Sequence, residues 1–184
     1  MKDIILDLCG GTGAWSAPYK EAGYEVIIVD LIQGDDVRLF KPPKNVYGIL
    51  AAPPCTHLCG SGARWWKEKG DAALLDALSI VDACLRIIYM SNPVFWALEN
   101  PVGRIVHYLG KPKMYFQPYE YGDPYTKKTC VWGDFNIPKK TPVEPTEGGK
   151  ICRLPPSPDR SKLRSITPQG FARAFFDANN NGRK

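Results

Sequence analysis

The stretch that most constrains the fold is an apolar run, Val46–Leu50, that leads into Ala51-Ala52-Pro53-Pro54-Cys55. The apolar run predicts a buried strand. Proline has no amide donor, so two prolines cannot continue the ladder and the chain must turn there. Cys55 is thereby expected at the carboxyl end of a strand, where open α/β sheets bind ligands. A lone cysteine is more often a core residue, so other segments must decide its role.

A glycine-rich turn follows the first predicted strand, Asp3–Leu8. Its sequence is Cys9-Gly10-Gly11-Thr12-Gly13, and a helix is expected from about Trp15 to Ala22. Glycines between a strand and a helix let a ligand approach the backbone closely. No Gly-Lys-Ser/Thr follows, and the third glycine of the dinucleotide fingerprint is missing. The turn therefore suits a ligand without a phosphate chain.

An acid ends the second predicted strand, Tyr24–Val29, at Asp30. An acid at this position can accept hydrogen bonds from both hydroxyls of a ribose, although a turn or helix cap is an equal alternative. Asp36 follows in a loop where it can meet an adenine amino group. This order of strand, glycine turn, helix, strand and acid points to S-adenosylmethionine as the cofactor.

The charge is divided unevenly along the 184 residues, whose net charge is +5. Residues 1–103 hold 9 Lys/Arg against 12 Asp/Glu, and residues 104–184 hold 15 against 7, which gives −3 and +8. The basic part suits nucleic acid, or is an ordinary solvated surface. No apolar run is long enough for a membrane span and no signal peptide is apparent, so we expect a cytoplasmic protein with no membrane partner. Its six cysteines lack a framework spacing and are expected to be reduced.

The loop after Cys55 combines glycines with Arg64-Trp65-Trp66-Lys67. Such residues can stack on bases or wedge into a duplex, or the tryptophans can pack under the domain. Cys55, His57 and Cys59 alternate, but structural zinc sites space their ligands differently, so we expect no metal.

A second chemical group is expected at the end of another strand. Asp71–Met90 has apolar residues at helical spacing, and Val94–Leu98 predicts a strand that Glu99-Asn100-Pro101 ends. A carboxylate near a cysteine nucleophile can protonate a ring nitrogen. Taken alone, Glu99 is more often a surface acid that closes a turn.

The order of these motifs resembles the C5-cytosine-specific DNA methyltransferase family, which uses S-adenosylmethionine. Two later segments agree: Gly122–Thr129 is similar to the family's basic motif, and Ser165–Ala174 is similar to its last motif. The resemblance implies a class-I S-adenosylmethionine-dependent methyltransferase fold, an α/β domain with a doubly wound, Rossmann-like, mostly parallel sheet. An antiparallel addition is expected after residue 110, with strands near Met114–Gln117 and Thr129–Trp132. A helix at about Pro168–Ala178 would close the domain, and Asn179–Lys184 should fray.

The resemblance also implies roles for individual residues. Cys55 would add to C6 of cytosine while Glu99 protonates N3, and a base in a duplex would be flipped out. The implied catalytic residues are Cys55, Glu99 and Lys128. The implied cofactor-binding residues are Asp7, Cys9, Gly11, Gly13, Trp15, Asp30, Asp36, Val37, Pro54 and Ser165. The implied substrate-binding residues are Asn100, Arg64, Trp65 and Lys127.

The chain departs from the family in having no large target-recognition domain. Residues 1–184 read as a single catalytic domain, with a proline-rich basic loop at 134–164 in its place. Short members of this kind look like those of bacteriophages, which act in the host cytoplasm. We expect a short or loose recognition sequence, or a protein partner that supplies it. RNA or a free cytosine nucleotide is an alternative substrate, and an idle nucleic-acid-binding partner protein is an alternative function.

Overall fold

A computed structural model describes residues 3–180 of the chain. Six strands form one sheet: β1 (Ile4–Leu8), β2 (Glu25–Val29), β3 (Val46–Ala51), β4 (Phe95–Pro101), β5 (Met114–Phe116) and β6 (Thr129–Asp134). The helices are α1 (Ala17–Glu21), α2 (Trp66–Ser91), α3 (Val106–Leu109), α4 (Arg160–Ser165) and α5 (Gln169–Asn179). The predicted antiparallel strands after residue 110 and the closing helix are confirmed. The fraying predicted for Asn179–Lys184 is wrong for Asn179, which ends α5 with its side chain buried and hydrogen-bonded to Asn136. Residues 181–184 lie outside the described residues.

The sheet is mixed and mostly parallel, in the order β2-β1-β3-β4-β6-β5. β1 pairs in parallel with β2 and β3, and β3 pairs in parallel with β4. β6 is antiparallel to both β4 and β5. The mostly parallel α/β sheet is therefore confirmed, while the doubly wound class-I methyltransferase class stays a prediction. The parallel pairing brings the carboxyl ends of β1 to β4 to one edge of the sheet.

Each face of the sheet carries its own apolar cluster, because successive side chains of a strand point to opposite faces. On one face Leu6 and Ile49 pack with the buried side of α2. On the other face Ile5 and Leu50 pack with aromatic residues of the closing helix α5. Stacked rings of Phe116 and Phe171, 3.7 Å between centroids, tie that helix to β5. The sheet is therefore packed on both faces, which holds the strand ends in fixed positions.

β4 and α2 differ from the sequence prediction at their ends, and α1 begins two residues after the predicted Trp15. β4 continues past Leu98 to Pro101, because Glu99, Asn100 and Pro101 pair with β6 after the pairing with β3 has ended. α2 begins at Trp66 but is interrupted at Gly70, where φ is +69°. The regular helix therefore starts where the periodicity of residues 71–90 predicts it.

Residues 135–159 form turns and irregular loops throughout. The proline-rich segment predicted at 134–164 thus begins at the last residue of β6 and runs into α4. That it replaces a recognition domain stays a prediction. Within residues 3–180, no helix has the length and apolar character needed to cross a membrane.

Candidate active site

A pocket lies at the carboxyl ends of the parallel strands. Nine of the residues that sequence reasoning selected line it: Asp7, Cys9, Gly11, Trp15, Pro54, Cys55, Glu99, Lys127 and Ser165. The glycine turn, the Pro-Pro-Cys turn and the end of β4 therefore meet at one place.

The Asp7 carboxylate is buried at the floor of the glycine turn, with 1% of the residue exposed. Ser16 Oγ donates a hydrogen bond of 2.5 Å to Asp7 Oδ2, whereas Oδ1 is buried without a partner among the described residues. A Cβ atom at Gly10 would overlap this carboxyl group, so glycine is required there. Burial raises the pKa of Asp7 to about 6, although the Ser16 hydrogen bond opposes the rise.

Asp30 holds the glycine turn in place from the end of β2. Its Oδ2 accepts a hydrogen bond of 2.9 Å from the Gly11 amide, and its Oδ1 accepts one of 2.9 Å from the Ile32 amide. Cys9 adopts a positive φ of 56° and donates its amide to Val29 O at 2.8 Å. Each carboxylate oxygen of Asp30 has a second lone pair, so the carboxylate keeps capacity for a ligand.

The Pro-Pro-Cys turn is held against the end of β4 and the segment that follows it. Asn100 Nδ2 donates to Pro53 O at 2.8 Å, and Gly60 N donates to Val102 O at 2.8 Å. Cys59 and Gly103 form an isolated antiparallel bridge. A Cβ atom at Gly103 would overlap the Leu58 carbonyl oxygen, so this close approach also requires glycine. The turn is thus held by backbone contacts on both sides.

Glu99 lies beside Lys127 at the inner end of the pocket. Lys127 Nζ is 3.9 Å from Glu99 Oε1, and the two side chains are 14% and 13% exposed. Lys127 Nζ also donates to Arg164 O at 3.1 Å, which links β4 to the end of α4. Burial raises the pKa of Glu99, and Lys127 partly offsets this rise. A carboxyl group in this setting favours its protonated form more than an exposed one does.

Cys55 faces a second thiol, Cys59. The Cys55 carbonyl accepts hydrogen bonds of 2.9 Å from the amides of both Leu58 and Cys59, which closes one helical turn. Ser61 Oγ lies 3.0 Å from the Cys59 sulfur. Interaction with the neighbouring Cys59 thiol raises the pKa of Cys55. Burial raises the pKa of Cys55 further. All six cysteines are free thiols.

Other predicted site residues lie outside the pocket lining. Asp36 is paired with Arg38 at 2.7 Å, and the hydrogen bond from Arg38 lowers the pKa of Asp36. Val37 is buried in the core beneath α2. Gly13 donates its amide to Gly10 O at 2.8 Å. The cofactor roles of these three residues stay predictions.

The predicted substrate side is only partly brought to the pocket. The Asn100 side chain is directed at Pro53 O, as described above. Lys128 is exposed, with its Nζ 5.2 Å from the ring centroid of Tyr115. The Arg64 guanidinium lies 5.0 Å from the ring centroid of Trp65, which is 46% exposed. The roles predicted for these four residues are not tested by their positions.

Sequence reasoning missed several residues that line the pocket. Arg164 has the clearest chemistry, because its guanidinium brings a permanent positive charge to the pocket. The others are Gly10, Thr12, Ala14, Ala52, Pro53, Pro101 and Thr167. Most of them are sequence neighbours of motif residues, so including the neighbours of each motif would have predicted them. Arg164 also adjoins a motif residue, since it directly precedes Ser165. Residues 3–180 contain no group of three His, Cys, Asp or Glu side chains that could hold a metal ion.

Comparison with known proteins includes a weak likeness to a solved structure. No family model matches the chain, and no curated protein matches it. The solved structure is an E. coli protein described as a "putative DNA modification methyltransferase encoded within prophage". It is 17% identical with a TM-score of 0.48, and the match covers 74% of this chain and 49% of that one. This chain therefore matches about half the length of that protein.

Proposed function

We propose that this protein transfers a methyl group from S-adenosylmethionine to C5 of cytosine in DNA. The carrying observation is that Cys55 and Glu99 share one pocket with Asp7 of the glycine turn. A nucleophile, an acid and a cofactor-binding turn at one sheet edge are the parts that this transfer needs. The proposal makes the protein a DNA (cytosine-5-)-methyltransferase.

Two buried polar atoms favour an amino-acid group on the cofactor. Asp7 Oδ1 and Trp15 Nε1 have no hydrogen-bond partner among the described residues, and both residues line the pocket. A carboxylate oxygen accepts and an indole nitrogen donates, so the pair fits an ammonium group and a carboxylate. A methionine moiety carries both groups. When bound, S-adenosylmethionine supplies an electrophilic methyl group for C5 of the base.

Further residues extend this cofactor assignment toward the adenosine. Asp30 has acceptor capacity left for the ribose hydroxyls, and it adjoins the glycine turn. We assign the adenine to the Cys9 and Asp36–Val37 region. The remaining wall is assigned to Pro54 and Ser165, which line the pocket on its other side.

Cys55 and Glu99 divide the chemistry on the base between them. The Cys55 sulfur bonds to C6 and drives the C5=C6 electron pair toward C5, while Glu99 gives a proton to N3. Burial raises the pKa of Glu99, which favours the protonated form that this step uses. Once C5 carries the methyl group, the C5 proton leaves to solvent and the S–C6 bond breaks. Cys55 is then released, and the N3 proton returns to Glu99.

Charge favours a polynucleotide as the substrate. Residues 104–184 carry +8, and Lys127 and Arg164 bring part of this charge to the pocket. An exposed Trp65 next to Arg64 suits stacking on a base. A paired cytosine must be flipped out to reach Cys55. Residues 135–159 are irregular, so sequence reading is expected to be short or to need a partner protein.

The test is nucleoside mass analysis after incubation with S-adenosylmethionine and, separately, duplex DNA, RNA and a cytosine nucleotide. We expect one added methyl group on deoxycytidine from DNA, absent with Cys55→Ala and Glu99→Gln. Cys152→Ser, an exposed cysteine away from the pocket, serves as the thiol control. Product only from RNA or the nucleotide would keep the chemistry and replace the substrate. Absence of product from all three would overturn the proposal.

A trapping experiment tests the covalent step by itself. DNA containing 5-fluorocytosine has no C5 proton to lose, so the enzyme should remain attached after methyl transfer. Peptide mass mapping should place the adduct on Cys55. An adduct on another cysteine, or turnover without an adduct, would contradict the assignment of the nucleophile.

A further inference from the structure

Positive charge is concentrated in α4 and in the segment before it. Residues 150–164 contain one acid, Asp159, and five cations, which are Lys150, Arg153, Arg160, Lys162 and Arg164. Their net charge of +4 is half of the +8 that residues 104–184 carry. Arg164, the last of the five cations, lines the pocket. The charge therefore extends from the pocket onto the neighbouring segment of the chain.

Four of these five cations form no ion pair with a carboxylate of residues 3–180. The exception is Lys150, whose Nζ lies 2.5 Å from a carboxylate oxygen of Glu147. Arg153 Nη2 donates to Glu147 O at 2.7 Å, and Arg160 Nη2 donates to Cys152 O at 3.4 Å. A carbonyl oxygen does not neutralise a guanidinium, and each guanidinium has five N–H donors. These side chains therefore keep both charge and donors for an anion.

α4 is attached to the rest of the chain at both ends. Its first residue donates to the preceding turn, as described above, and Lys127 Nζ donates to Arg164 O at 3.1 Å. Lys127 is also the lysine beside Glu99 at the inner end of the pocket. Arg153 and Lys162 are exposed, so an incoming molecule can reach them without a change in the fold. The segment thus presents its positive charges from fixed positions next to the pocket.

We propose that residues 150–164 bind the sugar-phosphate backbone of duplex DNA beside the target cytosine. The inference rests on the proposed function, in which a cytosine of DNA enters the pocket that Arg164 lines. Duplex DNA carries one negative charge per about 1.7 Å of helix axis, so it complements a surface of unpaired cations. Contacts from Arg and Lys to phosphate fix the position of DNA and carry no sequence information. This surface therefore orients the duplex over the pocket and leaves the choice of sequence to other groups.

The first test measures binding of a fluorescently labelled DNA duplex by anisotropy at several salt concentrations, without S-adenosylmethionine. Each lost phosphate contact should reduce the slope of log K against log salt concentration by about 0.9. The double variant Arg153→Gln/Lys162→Gln should therefore lose about 1.8 of slope and bind at least about tenfold more weakly at ~0.1 M salt. Arg153→Lys/Lys162→Arg keeps both charges and should keep the wild-type slope.

A matched control removes the same charge from another part of the surface. Lys20 and Lys44 are exposed and precede the amino ends of β2 and β3, at the opposite edge of the sheet from the pocket. Lys20→Gln/Lys44→Gln should keep the wild-type slope. An equal loss in this control would overturn the proposal, as would equal slopes for the wild type and Arg153→Gln/Lys162→Gln. A wild type without salt-dependent DNA binding would overturn it as well.

The second test asks whether the contacts are made to the backbone or to bases. A duplex of adenine and thymine alone contains no cytosine, yet its phosphates are the same. Arg153→Gln/Lys162→Gln should lose the same slope on this duplex as on cytosine-containing DNA. A loss confined to the cytosine-containing duplex would place the contacts on bases and overturn the backbone assignment.

These binding measurements separate failure of this inference from failure of the proposed function. If the wild type methylates no substrate, the slopes still report whether residues 150–164 contact phosphates. If cytosine in DNA is methylated and Arg153→Gln/Lys162→Gln keeps the wild-type slope, the function stands and the inference falls.

Discussion

The two sides of the pocket differ in how their polar groups are satisfied. On the glycine-turn side, which comprises Asp7, Trp15 and Asp30, two buried polar atoms have no partner among the described residues. On the cysteine side, which comprises Cys55, Cys59, Glu99 and Lys127, acids and thiols face cations or each other. Unpaired buried groups cost free energy until a ligand satisfies them. The glycine-turn side is therefore built for binding, and the cysteine side for moving protons.

The largest expected effect separates catalysis from binding. Glu99→Gln removes the proton that N3 receives, and methyl transfer should fall by roughly 100- to 10,000-fold. The affinity for S-adenosylmethionine should stay within about twofold, because Glu99 lies on the cysteine side. Single-turnover kinetics and calorimetric titration measure the two quantities. Equal losses in rate and affinity would break the distinction between the two sides.

A smaller effect is expected when the binding side is altered. Asp7→Asn replaces an acceptor of a charge-assisted hydrogen bond, so the Kd for S-adenosylmethionine should rise about 10- to 100-fold. The rate at saturating cofactor should change little. Calorimetric titration gives the Kd, and Glu21→Gln, at an exposed ion pair with Arg173, is the matched control. Unchanged affinity in Asp7→Asn would refute the ammonium assignment.

The same Asp7→Asn variant should change stability with pH. Burial raises the pKa of Asp7 to about 6 from 3.8, so the folded state binds this proton more tightly than the unfolded state. Wild-type stability therefore falls as pH rises from about 4 to about 6 and then stays low. Asp7→Asn avoids this loss and should be more stable by about 1–3 kcal/mol at pH ~8, with no gain at pH ~4. Denaturant unfolding at the two pH values is the measurement, and a gain that is the same at both would contradict the assignment.

The smallest expected effect compares two adjacent lysines. Lys127→Met removes the cation beside Glu99, so the pKa of Glu99 should rise further and the basic limb of the rate profile should move to higher pH, with the rate at neutral pH changed by about fivefold or less. Lys128→Met removes the same charge from an exposed position and should leave the rate profile unchanged. The pH profile of methyl transfer distinguishes them. An equal effect of the two variants would restore the catalytic role that the family resemblance assigns to Lys128.

The positions of the two proposed catalytic residues could be predicted from where the strands end. Buried runs that stop at Pro53 and after Leu98 place Cys55 and Glu99 at one edge, since parallel strands end together. The choice between Lys127 and Lys128 could not be predicted in this way. Successive residues of an extended segment point in opposite directions, and the pairing of Pro101 with Thr129 sets which lysine faces Glu99.

The contacts that residues make with distant parts of the chain could not be predicted from the sequence either. Asn100 is predicted to bind substrate, yet its amide spans 47 positions of sequence to reach Pro53 O. Arg164 comes to the pocket through α4, whose position depends on the irregular segment before it. The partner of Cys59 is local, but only the observed turn geometry shows that Ser61 Oγ lies 3.0 Å from its sulfur. Patterns in sequence report burial and period, and they carry no information on such tertiary pairs.

The bridge between Cys59 and Gly103 orders the cysteine turn during folding, before any substrate binds. Backbone hydrogen bonds from Gly60 to Val102 and from Arg104 to Leu58, both 2.8 Å, fix the turn within the folded chain. The conformational entropy of ordering this turn is therefore lost during folding, and an arriving base does not have to supply it. The amides of Gly60 and Arg104 are accordingly expected to exchange with solvent only through global unfolding, whether or not substrate is bound.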